Sequence, residues 1–177
     1  MDSLINLIDE HLIEGRDDVL DILAIIISIC TLAFSIWQFY LERIRNRKEA
    51  TIHAFDDLED NKSFSFLLAL SKTKIDDYVA RRKDYDKRIE NEWESICEAL
   101  ARLEHFAVGI NTKVYDLKML NAMAGNQIIK TYLSCKELIA YKRTGTGKEN
   151  NYTEFEKMVC ALKKYRKKKG QSIPDTD

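Results

Sequence analysis

Nineteen consecutive residues without a formal charge, Ile22 to Tyr40 (ILAIIISICTLAFSIWQFY), constrain this chain more than any other feature. At about 1.5 Å per residue they form a helix of about 28 Å, close to the roughly 30 Å hydrocarbon core of a bilayer. Trp37, Phe39 and Tyr40 close one end, where aromatic rings favour the headgroup level. A cleaved signal peptide would carry a basic leader and a small-residue cleavage site. Here the leader is acidic (Asp2, Asp9, Glu10, Glu14, Asp17, Asp18) and no such site follows. Residues 16–42 are therefore expected to be one transmembrane helix. Arg43, Arg45, Arg47 and Lys48 follow the span, whereas only Arg16 is basic before it. The positive-inside rule then sets the N-terminus outside and the C-terminal domain in the cytoplasm.

The span also carries a stripe. Asp21, Ala24, Ser28, Thr31, Ser35 and Gln38 are spaced 3, 4, 3, 4 and 3 residues apart, which puts all six on one helix face. A lone helix in lipid gains nothing from small and polar residues on one side. A sister helix does, because small side chains let backbones approach and hydroxyls bond across; a water-lined lumen does as well. The stripe is accordingly read as pore-lining or helix-interface. With helices about 10 Å across, a ring of five leaves a lumen of about 3–4 Å radius and a ring of eight about 8 Å. A pore built from one span per chain needs a sizeable ring, so six or more subunits are expected.

Residues 1–15 read as a separate amphipathic helix: Leu4, Ile5, Leu7, Ile8, Leu12 and Ile13 share a face, acids lie opposite, and Gly15 is a C-cap candidate. Behind the span, residues 43–170 have the size of one domain. One proline (Pro174) and six glycines among 177 residues favour uninterrupted helices, and no strand alternation is visible. The spacing predicts a membrane helix continuing to about Leu58, then helices over 63–71, 75–82, 84–109, 116–124, 126–143 and 152–169. The fold class is all-α: a transmembrane helix running into a cytoplasmic helical bundle, with 171–177 expected as a disordered tail.

Chemical motifs are few. The net charge of −1 argues against a generally electropositive nucleic-acid binder. Cys30, Cys97, Cys135 and Cys160 have no metal-type spacing and each falls in an apolar helical stretch, so buried reduced thiols are expected, with no metal and no cofactor. The loop TGTGKEN lacks the strand and helix that flank a P-loop. His105 is expected to be partly buried beside the core, and His11 to sit on the amphipathic helix. Arg47 and His53, with five residues between them, match the R-x(4–6)-H pattern of the helical HEPN ribonucleases, where the histidine handles the 2′-hydroxyl proton and the arginine steadies the phosphate. They are the ribonuclease candidates. The run Lys163, Lys164, Arg166, Lys167, Lys168, Lys169 either contacts RNA, anionic lipid or an acidic partner, or is a solvated helix end complementing the macrodipole.

The stretch W-ESICEALARLEHFAVGI, then YDLKMLNAMAGNQIIKTY, ELIAYKR and NNYTEFEKM resembles a family of small bacterial membrane-anchored helical proteins. With its one N-terminal span and degenerate HEPN-like domain, the whole chain is similar to the accessory proteins of type VI-B CRISPR systems. That resemblance implies an inner-membrane ring pore, not an enzyme, that enhances antiphage defence when its RNA-guided RNase effector is active. Self-association, membrane lipid, the effector and RNA are the partners it implies. A tethered HEPN-type ribonuclease and a non-conducting membrane adaptor for the effector are the alternatives.

Overall fold

The computed structural model describes residues 2–84, 86–145 and 150–174, with side chains from Leu20 onward except Asp21. Among these residues the chain is 86% helical and has no strand, so the fold is all-α. The helices are α1 (Asp2–Glu59), α2 (Lys62–Ala69), α3 (Lys72–Lys83), α4 (Glu90–Asn111), α5 (Leu117–Ser134), α6 (Lys136–Gly145) and α7 (Thr153–Lys168), with a 3₁₀ turn at Lys87–Ile89. The chain divides into two units, Met1–Arg45 and Asn46–Asp177.

In the first unit the backbone is one helix. The C-cap anticipated at Gly15 does not end it: α1 is continuous from Asp2. An interior glycine costs a helix only about 1 kcal/mol relative to alanine, and its N–H still serves the i→i−4 ladder. From Ile22 onward α1 is long and apolar enough to cross a membrane, with a mean hydropathy of 2.2 over its apolar window and none of that window buried.

The second unit is a bundle centred on α4. Its apolar stripe, Trp93, Ile96, Leu100, Leu103, Phe106 and Ile110, is buried against α2 on one side and α7 on the other, while α5 packs on α7 and α6 on α3. Phe55, from the C-terminal end of α1, meets Phe64 and Phe106 edge-on at 6.4 and 5.9 Å between ring centres. The join between α4 and α7 is specific. Tyr152, which precedes α7, has a left-handed φ of 61° and offers no side-chain cap. Glu104 of α4 supplies the cap from across the bundle: its carboxylate accepts from Glu154 N at 3.1 Å and Phe155 N at 2.7 Å. A carboxylate at a helix N-terminus satisfies orphan donors and suits the dipole.

Three further expectations are corrected. Helix 126–143 is broken at Cys135, where the chain turns and restarts as α6. The division at Gly125 is a kink within α5, centred on Ala124 (φ −141°, ψ 16°), rather than a stop. The tail is described through Pro174 and folds back onto the bundle. It reverses at Gly170 (φ +64°), the left-handed position that suits glycine, and Ser172 O accepts from Arg166 Nε at 2.9 Å. Residues 175–177 lie outside the described residues.

Candidate functional site

The exposed span supplies the first candidate surface. Ile22, Ile25, Ile29, Leu32, Ile36, Trp37 and Phe39 are all exposed. Ala24, Ser28, Thr31, Ser35 and Gln38 are exposed as well; the side chain of Asp21 lies outside the described residues. The hydroxyls on the stripe donate to their own helix: Ser28 Oγ to Ala24 O (2.8 Å), Thr31 Oγ1 to Ile27 O (2.7 Å) and Ser35 Oγ to Thr31 O (2.8 Å). Back-bonding lets a serine or threonine sit in hydrocarbon without an unsatisfied donor. Donating the hydrogen uses no lone pair, so each hydroxyl oxygen on this exposed face keeps its acceptor capacity. The stripe can therefore receive hydrogen bonds from water or from a sister helix, or coordinate a cation.

Of the basic flank, Arg43, Arg45 and Lys48 are exposed, and Arg47 is half-buried in the second unit. Arg47 is engaged there: its Nη2 donates to Tyr115 O at 3.0 Å. Its own carbonyl accepts from Thr51 Oγ1 at 2.6 Å, and Thr51 Oγ1 in turn accepts from Asp116 N at 2.7 Å. Arg47 and Thr51 thus pin the C-terminal part of α1 to the start of α5, where Asp116 caps the helix by accepting from Met119 N. His53 is exposed. Six residues along one helix is a rotation of about 600°, leaving the two side chains about 120° apart around the axis and about 9 Å apart along it. The fold does not bring Arg47 and His53 together. His105 is exposed rather than partly buried, and lines a surface groove of about 520 Å³ with Asp57, Glu98, Arg102, Phe106 and Tyr115. The side chain of His11 lies outside the described residues.

The thiols also differ from expectation. Cys135 is buried, and burial pushes its thiol up to about 12; Cys97 is half-buried and also raised, chiefly by desolvation. Cys30 and Cys160 are exposed. Among the described residues no group of three or more His, Cys, Asp or Glu side chains could hold a metal ion.

The basic end of α7 is not a uniformly solvated face. Lys164, Lys167, Lys168 and Lys169 are exposed, whereas Arg166 is buried, with 6% of its surface accessible. Spacing carried the signal for this. Phe155, Val159, Leu162 and Arg166 follow a 4, 3, 4 stripe, so Arg166 occupies the next core position of the helix.

These features define an all-α protein with, among the described residues, one helix long and apolar enough to span a membrane, followed by a compact helical domain. The chain belongs to the family described as Domain of unknown function (DUF4760), whose model matches residues 20–162. No curated protein and no solved structure matches it.

Proposed function

We propose that this protein is a homo-oligomeric pore of the bacterial inner membrane. In this reading the N-terminus is periplasmic and the domain cytoplasmic, as the Arg43, Arg45, Arg47, Lys48 flank favours. One observation carries the proposal. The exposed apolar helix bears a continuous polar and small stripe at a 3–4 spacing, Ala24, Ser28, Thr31, Ser35, Gln38, whose hydroxyls bond back to their own helix and keep acceptor capacity. An average repeat of 3.5 residues is the period at which helices supercoil around one another, so one edge of the stripe suits a neighbour and the other a lumen. A ring of six or more such helices has room for hydrated ions.

The physiological setting rests on the resemblance to type VI-B CRISPR accessory proteins. The pore would permeabilise or depolarise the membrane once the RNA-guided RNase effector is triggered, which strengthens antiphage defence. The reading assigns no catalysis to the chain, in keeping with Arg47 being committed to Tyr115 O and remote from His53. The test is ion flux from liposomes holding the full chain. Wild type is expected to conduct, and Ser28→Phe or Thr31→Phe to cut conductance by more than tenfold while the particle stays assembled. No flux from wild-type liposomes would sink the pore, and co-purification with the effector in the absence of flux would favour the adaptor.

A further inference from the structure

Arg166 is the one charged side chain among the described residues that is buried. Its partners are neutral: Nε donates to Ser172 O at 2.9 Å and Nη1 to Asn121 Oδ1 at 3.0 Å. No carboxylate among the described residues forms an ion pair with it. These neutral acceptors take one N–H at Nε and one at Nη1. Among the described residues Nη2 donates to no acceptor and no carboxylate offsets the charge, and burying an uncompensated guanidinium is unfavourable. An anion bound beside it would compensate that charge.

A cavity of about 500 Å³ opens beside Arg166 at the kink of α5, lined by Lys118, Asn121, Gly125, Gln127, Arg166 and Gln171. Its walls are fitted to the guanidinium. A Cβ at Gly125 would lie 2.6 Å from Asn121 Oδ1 and 3.2 Å from Arg166 Nη1, so only glycine leaves room for that pair. Asn121 is held in turn, its Nδ2 donating to Gln171 Oε1 at 3.1 Å. Lys118 adds a second cation at the rim, and the exposed lysines at the end of α7 bias the surrounding field positive.

We propose that this cavity binds the phosphate group of a small soluble phosphorylated compound of nucleotide size, anchored by Arg166 and assisted by Lys118. Nη2 of Arg166, which donates to no acceptor among the described residues, is left to give a charge-assisted hydrogen bond to a phosphate oxygen, and a cavity of this volume lies within the range of small-molecule sites. Asn121 and Gln171 offer further polar groups to orient the rest of the ligand. The site lies wholly within the second unit and is independent of the pore.

The experiment is titration calorimetry of the detergent-solubilised full chain with ATP and, separately, inorganic pyrophosphate, repeated on three variants. Wild type is expected to bind at least one probe. Lys118→Glu, an exposed position that leaves the fold intact, is expected to weaken binding at least tenfold. Arg166→Gln is expected to abolish it, and Lys164→Glu, outside the cavity, to change it less than threefold. Three results would each overturn the proposal: neither probe bound by wild type, equal losses in Lys118→Glu and Lys164→Glu, or binding confined to an RNA 12-mer or phosphatidylglycerol vesicles.

Discussion

Replacing Arg47 with alanine separates a structural arginine from a catalytic one. The side chain loses one charge-assisted hydrogen bond, Nη2 to Tyr115 O at 3.0 Å, and such a bond contributes about 1.5–3 kcal/mol. The loss is partly offset, because Arg47 Nε is buried with no hydrogen-bond partner among the described residues and its removal relieves that desolvation. The net destabilisation is then about 1.5 kcal/mol, which for a chain of this length lowers Tm by about 3–6 °C. Thermal unfolding of the detergent-solubilised chain, followed by circular dichroism, measures it. His53→Ala, at an exposed position, is expected to stay within about 0.5 kcal/mol of wild type. If Arg47→Ala left Tm unchanged, and both variants abolished an RNA cleavage shown by wild type, the assignment of Arg47 to the α1–α5 junction would be refuted.

Other expectations follow from the same packing. Phe155 is fully buried and meets Tyr132 edge-on at 5.5 Å, so Phe155→Ala should destabilise the bundle by about 3–5 kcal/mol in denaturant titration. Maleimide labelling read by mass spectrometry should modify Cys160 in the native protein and Cys135 only after unfolding, since the latter is buried with its thiol raised to about 12. At high pH, Tyr132 and Tyr152 are each pushed up to about 12, first by burial. Their folded values exceed the unfolded one of about 10, so stability should be full below pH 10 and fall between about pH 10 and 12, tracked by tyrosinate absorbance together with circular dichroism. At low pH the sign reverses. The Arg143 guanidinium lowers Glu156, so its contribution is present above the ordinary carboxylate range and is lost as pH falls through its depressed value.

Much of the fold was legible because it rests on periodicity. The span, the all-α class and the α4 stripe from Trp93 to Ala107 all follow from 3.6-residue spacing over long, nearly proline-free stretches. Boundaries were less legible. Gly15 and Gly125 resemble stops, yet a glycine only lowers helix propensity, and packing decides whether the helix continues or kinks. The break at Cys135 had no glycine or proline to mark it. The tail looked disordered because its anchors, the Arg166 and Asn121 side chains, come from two distant helices.

The candidate sites divide in the same way. The stripe from Ala24 to Gln38 is local to one helix, so its shared face followed from spacing alone. The spacing of Arg47 and His53 is a motif in sequence and not a juxtaposition within the chain: about 120° of helix separates them, and a long-range bond to Tyr115 engages the arginine. Arg166 was obscured by the five lysines around it, although its place in the Phe155, Val159, Leu162 stripe marked it as a core position.

The most direct test of the pore is the mass of the detergent-solubilised particle by native mass spectrometry. A closed ring of six or more 20.6-kDa chains is the expected result. A monomer or dimer would contradict it, since neither can enclose a lumen with one span per chain.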